Sequence, residues 1–406
     1  MFKPLKLLIT SLVGFLLLSS GSAISAAIFQ PTIESQAGIT IDAQTGQVIA
    51  SKNDQERLPI ASISKLIVIY LVEQAIKDGK LTADQPVKVS AQIASFSQDA
   101  SVANVTLSTD RTYTVHELET AALLPSANGA AMALAELVAG SQNAYYQTAN
   151  QLLDSWGIKD SHWVSASGLK GSYLTAFDSN QDGDAENKLS AREVAIISQK
   201  LLLDYPDILS ITQQKTASFP GIDGNMTTIS NTDELLGVSK YNLQGLKTGH
   251  TENNGVNFVG YAHVNGRAVI TVTLNAPEKK NFSDTEAMLD STAQLTKVTN
   301  LKPKSTITVL NAQTKKGVVN ITAKKALPIF YSVSGHIPKI TSKIQQTTKN
   351  QQAPIQTSTL LAKQTVTLDI NDLNDYLTQK PSLTYYADKP VQKTNFLVTW
   401  YRTTFN

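Results

Sequence analysis

The segment from Ile60 to Ile76 constrains this chain more than any other, because Leu66, Ile67, Val68, Ile69, Leu71 and Val72 follow one another almost without interruption. It is too long for one strand and too short for a membrane span of about 20 residues, so it reads as a helix buried on most of its sides. A helix enclosed in that way needs a large core around it. The 406 residues, 42% of them hydrophobic, are enough to build one, and the length predicts two domains rather than one.

Around that helix the pattern is mixed. Gly38-Ile-Thr-Ile-Asp42 and Gln47-Val-Ile-Ala50 alternate about the turn Ala43-Gln-Thr-Gly46, which predicts a β-hairpin. Residues 115–139 are rich in Ala, Leu and Glu but interrupted by Pro125, giving two helices with a corner at Leu124-Pro-Ser-Ala-Asn128. Ser190, with Glu193 three residues on, is a capping-box start for a helix to Leu203. Asp178-Ser-Asn-Gln-Asp-Gly-Asp184 opens like a calcium loop, yet its twelfth position is Leu189 where a bidentate Glu is needed, so it reads as a solvated loop. Farther on, Asn257–His263 and Arg267–Leu274 flank Val264-Asn-Gly266, a strong hairpin signal, and residues 284–298 read as helix. Beyond residue 300 the chain turns to Thr, Val, Lys and Gln in short strand-like runs, which predicts a small all-β domain without an evident catalytic constellation.

The two ends carry other information. Lys3 and Lys6, the apolar run Leu7–Leu18 and the small residues Ser22 to Ala27 have the order of a secretory signal peptide cleaved near 25–27; the alternative is an uncleaved anchor. At the other end, helical spacing puts Phe396, Leu397, Trp400, Tyr401 and Phe405 on one side, with Lys389, Lys393 and Arg402 nearby. Two readings stand there: an amphipathic anchor at a membrane surface, or a last strand or tail docked on the β domain. The division expected is 1–26 signal peptide, 27–298 catalytic domain, 299–390 β domain and 391–406 C-terminal segment. Without cysteine, disulfides, cysteine nucleophiles and thiolate metal sites are excluded, and the five histidines have no metal-ligand spacing, so neither metal nor cofactor is expected. A net charge of +2 does not point to nucleic acid as a partner.

Three short motifs carry the chemistry. Ser62-Ile-Ser-Lys65 fits S-x-x-K, as does Ser167-Gly-Leu-Lys170, so the pattern alone is weak. Ser62, however, opens the buried helix, with Lys65 one turn on along the same face. An amine held among apolar groups has its charged form disfavoured and can act as a base, whereas the alternative is an N-cap serine beside a solvated lysine. Ser126-Ala-Asn128 sits at the corner between the two Ala-rich helices, where a hydroxyl and a carboxamide can relay a proton and bind an amide; the alternative is an ordinary N-cap. Lys247-Thr-Gly249, followed by His250, stands at a predicted strand start, where cation and hydroxyl can hold a carboxylate and Gly249 leaves room for a backbone. The three lie in the order S-x-x-K, S-x-N, K-T-G, 64 and 121 positions apart, and the combination is specific.

With these motifs the sequence resembles the low-molecular-mass penicillin-binding proteins of the D-alanyl-D-alanine carboxypeptidase type, peptidase family S11. The likeness also takes in Ile41-Asp-Ala-Gln-Thr-Gly-Gln47, Glu186-Asn-Lys-Leu-Ser-Ala-Arg192 and Gly245-Leu-Lys-Thr-Gly-His-Thr251 with Asn257-Phe-Val-Gly260. It implies a β-lactamase-like transpeptidase fold, an antiparallel sheet with flanking helices, followed by a small all-β domain. It implies that Ser62 attacks the penultimate D-alanine carbonyl of a peptidoglycan stem peptide while Lys65 takes its proton. Ser126 would relay a proton to the leaving amine, Asn128 hold the substrate backbone, and Lys247 and Thr248 bind the terminal carboxylate. The backbone N–H groups of Ser62 and His250 would form the oxyanion hole, and β-lactams would acylate the same serine. The place of action would be outside the cytoplasm, at the outer face of the cytoplasmic membrane.

The chain departs from the family at Ser64, more often Thr, and at Asn281, where many members carry an Arg that helps bind the substrate carboxylate; Lys279 or Lys280 is the substitute expected. A β-lactamase shares the three motifs but needs a glutamate in an E-x-x-L-N type loop, and none lies between Ser126 and Lys247. A catalytically lapsed penicillin- or wall-binding protein is the reading from another class.

Overall fold

The computed structural model describes residues 29–179, 182–251, 255–348 and 351–405, so the signal-peptide reading falls outside the described residues. The first sheet is antiparallel and five-stranded. Its strands are β1 (Ala37–Asp42), β2 (Val48–Lys52), β3 (Leu246–Thr251), β4 (Gly255–Val264) and β5 (Arg267–Ala276), in the order β2-β1-β5-β4-β3. Both predicted hairpins are present. In the first, the Asp42 carboxylate accepts the Gln44 and Thr45 N–H groups and Gly46 takes φ +70°, so the chain reverses with its turn donors satisfied.

All of β1 is buried because helices cover both faces of the sheet. The helices named here are α1 (Lys65–Lys77), α2 (Val115–Leu123), α3 (Asn128–Ala139), α4 (Ala191–Asp204), α5 (Lys280–Leu295) and α6 (Phe396–Phe405). Ile39 and Ile41 pack into a core shared with α1 and α4, while Gly38, on the opposite face, lies against Met288 of α5. Helix α1 runs inside the helical layer between α2, α3 and α4, and every residue from Lys65 to Val72 is buried. The capping box of Ser190 and Glu193 opens α4 as predicted. The helix predicted at 284–298 is displaced: α5 starts at Lys280 and ends at Leu295. Thr296 to Leu301 is instead a strand, β6, because Thr296, Val298 and their neighbours pair with Leu327–Ser332.

The second sheet joins β7 (Lys304–Thr308), β8 (Val318–Ala323), β10 (Gln345–Gln346), β11 (Leu360–Thr365) and β12 (Ser382–Ala387) in the order β7-β8-β12-β11-β10, with Leu327–Ser332 as β9. It has its own core of Ile321, Ile329, Leu361, Val366 and Tyr385 among others. Gln47, wholly buried in the first hairpin, joins the two units: its amide donates to the Phe330 and Leu373 carbonyls and accepts the Phe330 N–H. Residues 396–405 form a helix, not the strand kept open as an alternative. The Arg402 guanidinium ties that helix to the carbonyls of Leu310, Ala312 and Thr314, leaving Phe396 78% exposed and Trp400 52% exposed. Among the described residues, no helix is long and apolar enough to cross a membrane.

Candidate active site

Ser62 lies in a 3-10 turn, Ala61–Ser64, that leads into α1. The turn is entered through Ala61 at φ +47°, a conformation unfavourable for a residue with a Cβ, and the packing on either side holds it there. A Cβ added at Gly168 (φ +87°) would come within 1.9 Å of the Ala61 carbonyl, and one at Gly249 within 2.8 Å of the Ile60 carbonyl. The loop at 164–168 and strand β3 can therefore close on the turn only because both positions lack a side chain. Ser64 faces away from the cleft. Its hydroxyl accepts the Asn187 amide, which also donates to the Ser165 carbonyl and so pins the same loop.

Lys65, the first residue of α1, is fully buried, and its Nζ lies 2.7 Å from each of three acceptors: Ser62 Oγ, Asn128 Oδ1 and the Ser167 carbonyl. Burial lowers its pKa well below the ordinary lysine value, and the nearby Lys247 charge lowers it further. In the neutral amine one of those contacts reverses, and the Ser62 hydroxyl becomes the donor to the Nζ lone pair. That is the pairing a serine needs to lose its proton as it attacks.

The corner between α2 and α3 brings the second motif beside the first. Ser126 takes φ +64° and does not cap α3, whose N-cap is Ala127, so the N-cap alternative fails. Its buried Oγ has no hydrogen-bond partner among the described residues. Such a hydroxyl is costly unless something entering the site completes it. The third motif occupies β3, at the sheet edge. Lys247 is 2% exposed, its Nζ donates to the Thr248 carbonyl at 3.2 Å, and burial lowers its pKa to about 7 against the opposing pull of Asp233. Asp233 is itself buried, with one carboxylate oxygen unpartnered and a pKa raised to about 6.

Ser62, Ser126, Asn128, Thr248 and His250 line one cleft of ≈ 330 Å³. Thr232 closes it by joining two motifs: its Oγ1 lies 2.6 Å from Thr248 Oγ1, and its N–H donates to the Leu124 carbonyl at the corner. Neither Asn281 nor the two lysines before it lines the cleft. Asn281 is buried at the start of α5, and Lys280 is paired with Glu34 at 2.6 Å. The three motifs read from the sequence meet at this site, whereas the Ser167 carbonyl, Thr232 and Asp233 were not singled out, and Asn187 entered only as part of a family-like run. The Ser167-Gly168 pair had been visible only as a chance repeat of the first motif. Asp233 carried no signal in the sequence.

A half-buried Ser62 beside the buried Lys65 at the head of a helix, facing an S-x-N corner and a K-T-G edge strand, is the motif set of the penicillin-binding fold. Residues 24–278 match the model of the D-alanyl-D-alanine carboxypeptidase family, peptidase S11, and the chain belongs to that family. It is 30% identical to D-alanyl-D-alanine carboxypeptidase DacA of Escherichia coli over 234 residues, 57% of this chain and 54% of that one, so the match spans about half of that relative. The fold is similar to the crystal structure of a peptidoglycan synthesis regulatory factor, PBP3, from Streptococcus pneumoniae. The TM-score is 0.75 at 30% identity, covering 88% of this chain and 99% of that one. It is also similar to penicillin-binding protein D2 of Listeria monocytogenes in its cefotaxime-bound form. There the TM-score is 0.53 at 28% identity, covering 64% of this chain and 96% of that one.

Proposed function

We propose that this protein is a serine D-alanyl-D-alanine carboxypeptidase that removes the terminal D-alanine from peptidoglycan stem peptides. The observation that carries the reading is the buried Lys65 amine, 2.7 Å from both Ser62 Oγ and Asn128 Oδ1. Neutral Lys65 takes the Ser62 proton as Oγ attacks the penultimate carbonyl. The oxyanion is received by the Ser62 and His250 N–H groups, and such a pair of donors typically lowers the barrier by a few kcal/mol. Ser126, its Oγ without a partner among the described residues, relays the proton taken up by Lys65 to the departing amine of D-alanine, which restores neutral Lys65. Asn128 holds the substrate backbone, and Gly249 lets it approach β3. With Asn281 and Lys280 turned elsewhere, the terminal carboxylate falls to Lys247 and Thr248, the Thr232 hydroxyl supporting Thr248. Water then releases the acyl group. A β-lactam, whose carboxylate and strained amide imitate that substrate, acylates Ser62 and leaves slowly.

The same reading gives the chain a catalytic domain over 27–298, a β domain over 299–390 and an exported location. Helix α6 rests its aromatic side on the outer face of the membrane, a role that its exposed Phe396, Leu397 and Trp400 support. Removing residues 391–406 should then release the protein from membranes, and unchanged membrane association would refute the anchor.

The deciding experiment is intact-mass spectrometry of the mature protein with benzylpenicillin and, in parallel, with diacetyl-Lys-D-Ala-D-Ala. One stable adduct, absent in Ser62→Ala, together with D-alanine release, is the expected outcome. Rapid penicillin turnover would make the protein a β-lactamase, and neither adduct nor release would leave a binding protein.

A further inference from the structure

The charge of this chain is divided between its two halves. Residues 301–406 hold 14 Lys and Arg against 4 Asp and Glu, whereas residues 1–300 hold 21 against 29. A net charge near zero thus conceals a strongly basic β domain attached to an acidic catalytic unit. Four of those 14 cations line a cavity of ≈ 720 Å³ that reaches across one sheet face from edge to edge. Lys302 and Lys304 flank it at the β7 edge, and Lys339 and Lys343 flank it on the segment that runs into β10. Gln364 and Tyr385, both buried, lie between them. Among the described residues, no carboxylate lines the cavity. All four lysines are exposed, and among the described residues none has an ion-pair partner. Asp369 accepts the Lys339 backbone N–H at 2.6 Å and faces His336 at 3.2 Å, outside the lining.

Lysines on an edge strand often serve to block pairing with another chain. That accounts for Lys304 but not for Lys339 and Lys343 on a separate segment across the cavity. We propose that this lysine-lined cavity binds a linear phosphodiester polymer. Two features favour a polymer strand over a lipid surface. The site is concave, so a strand can enter it and a flat bilayer cannot. It also lies at the Lys304 end of β7, whereas α6 with its exposed aromatic residues packs beyond the Thr308 end, against Leu310 and Ala312. Lysine ammoniums are point charges suited to phosphate oxygens that follow one another along a flexible chain.

The test uses the mature full-length chain and measures binding to polyglycerol phosphate, to phosphatidylglycerol vesicles and to polyglutamate. One variant carries Lys302→Gln, Lys304→Gln, Lys339→Gln and Lys343→Gln. A charge-matched control carries Lys315→Gln, Lys316→Gln, Lys380→Gln and Lys389→Gln, with thermal unfolding as the check on folding. Expected are a loss of polyglycerol phosphate affinity of at least about tenfold in the first variant, less than about threefold in the control, and a steep weakening of wild-type binding with salt. Equal losses in both variants would reduce the effect to net charge and overturn the site. Equal wild-type affinity for polyglutamate, or a loss confined to the lipid vesicles, would overturn the phosphodiester assignment. Because the measurement is of binding, it stands or falls separately from acylation at Ser62.

Discussion

Lys65 and Lys247 are both buried, yet the proposed reaction asks opposite things of them. Lys65 must be neutral to accept a proton, so acylation should rise as pH passes upward through its lowered pKa. Lys247 must be protonated to hold a carboxylate, so substrate binding should weaken as pH rises past about 7. Asp233 is what keeps the second lysine charged. Its ionised carboxylate raises the Lys247 pKa, opposing burial. Asp233→Asn should therefore shift the alkaline limb of kcat/KM for the peptide to lower pH, chiefly through KM. An unshifted alkaline limb would show that Asp233 does not act through Lys247. The three motifs were legible in the sequence because each is a short run of reactive residues. Asp233 was not, because its effect comes from burial beside a lysine 14 positions on.

At the scale of elements, the contact between α1 and α2 contains a buried carboxyl with no role in the proposed reaction. Glu119, 1% exposed and with one carboxylate oxygen lacking a hydrogen-bond partner among the described residues, faces Glu73, and burial followed by the Glu73 charge raises its pKa well above the ordinary value. A carboxyl whose folded pKa is raised takes up a proton on folding, so it lowers stability increasingly as pH climbs above its unfolded value of about 4.3. Glu119→Gln should stabilise the protein by on the order of 1 kcal/mol at pH 7.5 and by much less near pH 4, read from urea midpoints at the two pH values. A gain equal at both would contradict a titration origin. The loop against the nucleophile turn makes a second prediction. Gly168→Ala should cost about 2–4 kcal/mol, since the new methyl would overlap the Ala61 carbonyl and the residue sits at φ +87°. Thermal unfolding measures it, and a near-neutral result would mean that the loop can withdraw from the turn.

For the molecule as a whole, the joint between the first unit and the β domain combines an apolar cluster, in which Phe330 and Leu373 pack with Ile49 and Leu289, with buried polar pairing. Beside Gln47, Arg192 of α4 bridges Asp54 at 2.7 Å and Asp375 at 2.5 Å, so one guanidinium joins both units. Gln47→Ala would leave the Phe330 N–H and two carbonyls buried without partners. It should cost about 2–3 kcal/mol and expose the segment around Thr296–Leu301 to protease before the catalytic core unfolds. Uniform cleavage kinetics in mutant and wild type would refute that role. Gln47 was legible only as part of a family-like run, because its partners lie 283 and 326 positions away.

The sequence by itself determined what depends on near neighbours. Turn residues and alternation placed the two hairpins, the capping box placed α4, the proline divided α2 from α3, and one helical turn put Lys65 under Ser62. Tertiary structure decided what depends on meetings across the chain. Lys65 finds the Ser167 carbonyl 102 positions away and Ser64 finds Asn187 at 123, and no periodicity records either contact. The same holds for the strand over Thr296–Leu301, which exists because β9 offers it a ladder, and for the lowered pKa values of both lysines. Burial is a property of the packed molecule, and the chemistry of a serine beside a lysine depends on it.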